Sequence, residues 1–481
     1  MRIEHFVGAI LGTMTVSAAV GAQEDPVAPV DAATEAAAPA TDPETAPTEP
    51  EAQPEATTST GGDAVAVATP ALDPSTNVEG TTSTAPTTSG ASSPPEQATE
   101  ADVEATPERK FPSFHFYGRG RVDFAYATQR MAHLHSGFWV LSPSTTGGER
   151  NSNVPEAILY PRWSRLGVDV VAAEPEPDVQ ITAKIEIDFM GGGSESRATP
   201  RIRHAYGQIA LGNLSILGGQ FWDLIAPLEQ GGGENGTFWY GGNLGDRRPQ
   251  LRATLAPTFG TTQVVLAGAA VQSGAVDMAD VDEDSVMDGV ASARPAVQGL
   301  VELRLGATDA GKKPVRVGIS GHSGSKRIRL DGVDEDFEVV AGIAHLEVPV
   351  SIFTLRAEGW VGENLRDLRG GIGQGIELRD TDGDSILDEG KEIPAKGGFF
   401  HVQVDPVKWY SAKVGAGVDN PKGIDPGGRG LNQTVDFTSI FKPYQQFVVG
   451  LVYDYYHTDY VGAATKDGDS HRVQAYTMVP F

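Results

Sequence analysis

The 481 residues include no cysteine, so neither a disulfide framework nor a thiolate-bound metal can hold the chain together. Stability must come from backbone pairing and packing. Long apolar runs are missing too. The stretch 6–20 is too short to cross a bilayer comfortably, and nothing later approaches the roughly 20 apolar residues of a membrane helix. Any part that spans a membrane must be β. Bases are scarce, with 37 Lys and Arg against 64 Asp and Glu and a net charge of −27. That balance disfavours nucleic acid as a partner.

The amino-terminus reads as an export signal. One Arg within Met1 to His5 precedes the apolar stretch, which ends in the small-residue site Val20-Gly21-Ala22; residues 1–22 are expected to be a signal peptide. Residues 23–110 are Ala, Pro, Thr, Glu and Ser with almost no large apolar side chains, and they carry about −15 of the net charge. Such a segment cannot bury enough surface to offset the entropy of ordering, so it is expected to be a disordered, acidic periplasmic stretch. It reads as an inert spacer or as a segment that contacts the cell-wall layer.

From Phe111 the texture changes to segments of about ten residues with period-two alternation, the signature of a transmembrane β-barrel. In Phe114-His115-Phe116-Tyr117-Gly118-Arg119-Gly120-Arg121-Val122-Asp123-Phe124, the even positions are apolar or Gly and the odd ones include His115, Arg119, Arg121 and Asp123. The run 181–189 repeats this, with Lys184, Glu186 and Asp188 on one face. Alternation predicts sixteen strands: 113–127, 162–173, 179–190, 200–211, 214–222, 248–258, 262–273, 294–307, 313–323, 337–347, 350–362, 397–405, 408–418, 432–441, 445–457 and 470–481. Short connectors (174–178, Gly212-Asn213, Asp405-Pro406, Lys442-Pro443) alternate with long ones (129–161, 223–247, 275–293, 363–396, 458–469). Short periplasmic turns and long extracellular loops produce this pattern. The expected fold is therefore all-β: a closed antiparallel barrel over 111–481, in the outer membrane of a Gram-negative cell. The last strand alternates Val473, Ala475, Thr477, Val479 and Phe481, ending on an aromatic residue of the kind barrel-assembly machinery accepts. Closure leaves no unpaired edge in lipid.

The segments "RWSRLGVDV", "AKIEIDFMGGGSESRATPRIRHAYGQIALGNLSILGGQFWDLIAPL" and "GNLGDRRPQLRATL" resemble the DcaP-like outer-membrane porins. The resemblance runs from about 162 to 255 and is carried by Asp188-Phe189, Pro200-Arg201-Ile202-Arg203-His204-Ala205-Tyr206, Gly219-Gln220 and Arg248-Pro249-Gln250. It implies a homotrimer of sixteen-stranded channels, set among outer-membrane lipids, that takes up dicarboxylates and other small anions. An amino-terminal coiled coil, frequent in that family, has no counterpart in the heptad-free segment 23–110.

Strand parity places Arg119, Arg121, Arg165, Arg201, Arg203, Arg248 and Arg252 in the lumen, with Lys184, Glu186 and Asp188. Guanidinium groups stay charged and bind carboxylate or phosphate bidentately, so such a wall can replace part of an anion's hydration. The same arginines could instead brace the wall against Glu186, Asp188, Glu302 or Glu358. The Gly- and aromatic-rich connector 222–247 is expected to fold inward as a constriction, with Asp223, Glu229, Glu234 and Asp246 facing the arginines and Trp239 and Tyr240 placed to stack a ring or to join an interfacial girdle.

Two outer loops share one pattern. Asp280, Asp282, Asp284 and Asp288, and again Asp380, Asp382, Asp384 and Asp388, occupy positions one, three, five and nine. A backbone carbonyl at position seven, Ile386 in the second loop, completes the oxygen spacing of a calcium loop, without its Gly at six or Glu at twelve. Calcium is thus a candidate loop ligand, with solvated acidic loops as the alternative, and no cofactor is required. No nucleophile elbow or zinc-spaced His pair occurs, and Gly321-His322-Ser323-Gly324 is too short to mark a hydrolase, so the reading is not an enzyme. It is a passive porin for small hydrophilic solutes, anions first. The alternatives are a phosphate- or sugar-preferring porin, or an envelope-tethering barrel without transport.

Overall fold

The computed structural model describes residues 112–143, 153–172, 179–225, 227–228, 238–307, 313–384, 386–444, 446–462 and 466–481. The expected signal peptide and acidic segment lie outside these residues. Sixteen antiparallel strands close into one barrel. They are β1 (Ser113–Ala127), β2 (Glu156–Tyr160 continued by Arg165–Val171), β3 (Val179–Asp188), β4 (Arg201–Leu211), β5 (Leu214–Trp222), β6 (Arg247–Leu255, continued by Thr258–Phe259), β7 (Thr262–Val271) and β8 (Ala296–Leu305). The second half comprises β9 (Val315–Leu330), β10 (Val333–Val350), β11 (Phe353–Glu363), β12 (Pro394–Val407), β13 (Tyr410–Pro421), β14 (Arg429–Tyr444), β15 (Phe447–Tyr460) and β16 (Gly468–Pro480). Each strand pairs with its sequence neighbours, and β1 pairs with β16 to close the sheet. No helix among the described residues is long and apolar enough to cross a membrane.

Alternation decides which way each side chain points. Phe114, Phe116, Leu166, Ile185, Ile202, Leu251, Ile319, Val361, Leu451 and Val473 stand on the outer face, exposed. Asp123, Glu186, Asp188, Glu302, Asp454 and Arg472 lie buried within. An apolar outside over a polar inside, with every strand paired, fits only a bilayer, so this is an outer-membrane barrel. Phe259, Phe353, Trp409, Tyr444 and Phe481 are exposed near the short-turn rim, where aromatic rings suit the lipid interface.

The last residue extends the closing ladder between β1 and β16. Gly118 and Phe481 exchange both backbone hydrogen bonds, at 2.9 and 3.1 Å, while the Phe481 ring lies where a Cβ on Gly118 would stand. Gly118→Val is therefore expected to lower barrel stability by about 2 kcal/mol or more through overpacking, read as an earlier loss of the compact species when heated in detergent. The break in β2 is also managed locally. Ser164 Oγ accepts from Arg121 N at 3.0 Å and donates to Arg121 O at 3.1 Å.

Several boundaries differ from the sequence expectation; the strand expected at 162–173, for one, begins at Glu156, inside the connector expected at 129–161. Asp405-Pro406 and Lys442-Pro443 are not turns: the strands run on to Val407 and Tyr444, with register shifts after Val404 and Phe441. Proline cannot donate to the ladder but fits a bulge. Residues 324–336, expected outside the strands, extend β9 and β10 beyond the outer rim. Their turn is Asp331-Gly332, both at positive φ (42° and 74°), the geometry of a two-residue hairpin. Cross-strand pairs Arg327–Asp336 and Arg329–Asp334, both at 2.8 Å, lace the extension.

Candidate solute pathway

Inside β1 to β4 the basic side chains form a ladder interleaved with acids. Arg203 bridges Glu186 (2.7 Å) and Asp188 (2.8 Å). Arg201 holds Asp188 at 2.7 Å, and Arg165 reaches Glu186 at 3.4 Å. Tyr117 donates to Glu186 at 2.8 Å, and Lys184 sits 2.9 Å from Asp169. Arg119 donates to the Trp163 carbonyl at 3.2 Å. The acids thus fix the guanidinium groups, while Arg201 and Arg165 keep 27% and 21% of their side chains accessible. Arg252 is half-buried, donating to Gln250 at 2.9 Å.

The connector between β5 and β6 leaves this wall and reaches the opposite one. The Trp360 indole on β11 donates to Gly242 O at 2.7 Å, and Asn432 on β14 donates to Tyr240 O at 2.8 Å. Phe238 stacks on Phe399 of β12 with centroids 5.4 Å apart. Gly242 has φ 126°, and a Cβ there would collide with the carbonyl of Gly398. The segment therefore crosses the bore, as an inward-folded loop must.

Its named residues act differently from the sequence expectation. Trp239 and Tyr240 cannot stack a solute, because they are buried against Trp222, Phe138 and Trp139. Asp223 and Asp246 do not present a free acidic edge either. Asp223 is sealed against Arg248 (2.8 Å) and Gln298 (2.9 Å), and Asp246 against Arg369 (2.7 Å) and Arg247 (3.3 Å). Glu229 and Glu234 lie outside the described residues. Arg121 and Arg248 also line no accessible surface. Arg121 is paired with Asp123 at 2.7 Å beneath the Tyr476 ring, and Arg248 is wholly buried.

Arg369 and Asp367, which the sequence reading missed, belong to the connector between β11 and β12. Arg369 grips Asp246 and stacks over Trp239 at 4.7 Å. Asp367 meets Arg248 at 2.7 Å and accepts from the amides of Val276 (2.8 Å), Gly274 (3.0 Å) and Asp277 (3.3 Å). Burial alone would favour a protonated Asp367, but Arg248 and Lys326 outweigh it and hold the carboxyl below its ordinary range. Two connectors and strand β6 are thus tied at one buried carboxylate. Asp367→Ala is expected to cost about 3–5 kcal/mol, the penalty for breaking a buried pair, whereas Asp336→Ala on the exposed hairpin should cost less than about 1 kcal/mol. Thermal unfolding in detergent compares the two.

A second basic wall stands on β8 to β14, toward the short-turn end. A cavity of about 840 Å³ is lined there by Arg304, Lys313, Arg316, Arg356, Lys413 and Lys442, against only two acids, Glu347 and Asp405, and Pro227 and Leu228 of the inward loop border it. Arg304 (2.6 Å) and Arg316 (2.8 Å) share Glu302, and Arg356 pairs with Glu347. Their side chains are 35%, 20% and 15% accessible. The same parity that found the first wall would have found this one.

Among solved structures, the outer membrane channel DcaP of Acinetobacter baumannii matches with 18% identity and a TM-score of 0.59, over 77% of this chain and 98% of that one. The fold is that of an outer-membrane porin. OmpF of Salmonella typhi, solved with daunomycin, matches at 10% identity and a TM-score of 0.50, over 76% and 97% of the two chains. An anion-selective porin from Comamonas acidovorans matches at 12% identity and 0.49, over 77% and 100%. No family model matches the chain, nor does any curated protein sequence.

In this porin barrel His322 and Ser323 point to opposite faces. His322 is buried inside, 3.2 Å from Gln298, and Ser323 is exposed outside. The two acidic loops lie at the outer end. Asp280, Asp282 and Asp288 gather carboxylate oxygens within 4.8 Å of one another, as do Asp380, Asp382 and Asp384. Asp284 is not gathered; it accepts from Val286 N at 2.7 Å. Asp388 turns instead to Thr381, at 2.9 and 2.6 Å, and Ile386 donates its amide to Asp384 at 2.8 Å.

Proposed function

We propose that this chain is a passive diffusion channel for small hydrophilic solutes that favours anions, dicarboxylates among them. The observation that carries this reading is the pair of accessible basic walls on opposite sides of the bore, Arg165 and Arg201 on one and Arg304, Arg316 and Arg356 with Lys313 on the other. Guanidinium groups held by neighbouring acids stay oriented without being fully neutralised, and they offer an anion a succession of weak contacts rather than one trap. Two separated sites suit a solute with two carboxylates. The DcaP likeness supports a channel in the same membrane.

The test is reversal potential across planar bilayers under chloride, succinate and phosphate gradients. Anion preference, strongest for succinate, is expected. A closed barrel with no conductance, or a preference for cations, rejects the reading, and a phosphate optimum moves it to a phosphate porin. A homotrimer, inserted by the assembly machinery through β16 and bounded by outer-membrane lipid, is part of the same proposal. Native mass in detergent decides the copy number.

A further inference from the structure

The three carboxylates between β7 and β8 are arranged alike. Asp280 Oδ2 accepts from Ser285 N at 3.1 Å, Asp282 Oδ2 from Arg329 N at 2.6 Å, and Asp288 Oδ1 from Val281 N at 3.0 Å. In each case the second oxygen, Asp280 Oδ1, Asp282 Oδ1 or Asp288 Oδ2, is buried and has no hydrogen-bond partner. Asp288 is only 1% exposed as a residue. One oxygen from each carboxylate lies within 4.8 Å of the others. The bases nearby are engaged elsewhere: Lys326 pairs with Asp277, and the Arg329 guanidinium with Asp334 at 2.8 Å.

Three carboxylates, each accepting from a backbone amide, each keeping one buried oxygen without a partner, and each bringing an oxygen within 4.8 Å of the others, repel one another unless a cation lies between them. A buried carboxylate oxygen left without a partner is destabilising. The donor set is oxygen alone, with neither sulfur nor imidazole, which selects a hard divalent ion. The sequence spacing adds the carbonyl of Val286 as a further oxygen. We infer that Asp280, Asp282 and Asp288 form a calcium site. The site reaches beyond its own loop, because the amide that clamps Asp282 belongs to β9 and Asp288 opens the short helix Asp288–Ala291. An ion there pins this loop to the β9–β10 hairpin at the outer mouth of the barrel. The loop at Asp380 offers no comparable site: its three gathered carboxylates are all exposed.

The experiment uses the full chain, folded in detergent, stripped with a chelator and titrated with calcium chloride by calorimetry. Saturable uptake is expected in the wild type and in D380N/D382N/D384N. Asp288→Asn and D280N/D282N should each weaken it by about tenfold or more, as loss of ligand charge does in calcium loops. Amide exchange across 276–290 should slow by about tenfold on adding calcium in the wild type and in D380N/D382N/D384N, and stay unchanged in D280N/D282N. Persistence of the compact species in unheated detergent gels reports that each variant is folded. No uptake by the wild type, or equal uptake by the wild type and D280N/D282N, overturns the assignment. Neither outcome depends on whether the channel conducts.

Discussion

Replacing Arg304, Arg316 and Arg356 together by glutamine is expected to lower the anion-to-cation permeability ratio by about five- to tenfold, and to bring it near or below unity. A unit charge about 8 Å from a passing ion, in a partly aqueous lumen of effective dielectric near 40, contributes about 1 kcal/mol, or roughly fivefold in a Boltzmann factor. The three changes do more than remove positive charge. Glu302 loses both arginine partners and Glu347 loses Arg356, so two carboxylates become counter-charges for cations. Arg327 and Arg329 on the outer hairpin are the control. Their glutamine variants should leave the ratio unchanged, because charges beyond about one Debye length, near 8 Å at physiological salt, are screened. If the triple variant keeps the wild-type ratio in bilayer recordings, the short-turn cavity does not set selectivity. Arg201→Ala should move the ratio less, because Arg203 still holds Asp188 and the local charge changes by one.

Gly242→Val is expected to raise single-channel conductance about twofold, since pore conductance follows the open cross-section that this loop reduces. Two independent constraints hold glycine at that position. The backbone has φ 126°, a conformation that costs a β-branched residue about 1–3 kcal/mol or more. In addition, any Cβ meets the Gly398 carbonyl on the far wall, and that wall cannot retreat without breaking the barrel ladder. The less costly response is release of the loop from β11 to β14, with loss of the Trp360 and Asn432 hydrogen bonds. Bilayer recordings measure the step size, and quenching of Trp360 fluorescence reports the opening of its indole site. Unchanged conductance alongside an exposed Trp360 would remove this loop from the role of constriction.

The barrel itself was legible in the chain. All sixteen strands follow from alternation, because lipid outside and water inside impose opposite demands on successive residues, and that demand repeats along the whole sheet. The misplaced features have local causes. Pro406 and Pro443 imitate turns but sit in bulges, since a missing N–H is tolerated in both settings. The outer ends of β9 and β10 reverse the alternation of the barrel wall: Ile328 and Leu330, on the face that is polar lower down, are buried with Phe337 under the loops, while Arg327 and Arg329 face out, so a pattern tuned to lipid outside and water inside stops short of them.

What parity could say about the pore was direction, not accessibility. It turned Arg121, Arg248, Arg201 and Arg165 alike toward the interior, yet the first two are sealed and the last two stay open to the lumen. That distinction depends on partners remote in sequence. Asp367 reaches Arg248 across 119 positions, and Tyr476 covers Arg121 only because β16 closes on β1. Trp239 and Tyr240 likewise needed the packing of Phe138 and Trp139 to reveal them as anchors.

By itself, then, the sequence determined an outer-membrane barrel, its strand order, the face of each side chain and the oxygen spacing of two acidic loops, all of which depend on near neighbours and on the periodicity of a pleated chain. Tertiary structure alone decided which charges meet water, where the inward loop lands, and which acidic loop leaves buried oxygens without partners. Those outcomes depend on contacts between segments far apart in the chain, and no local pattern records them.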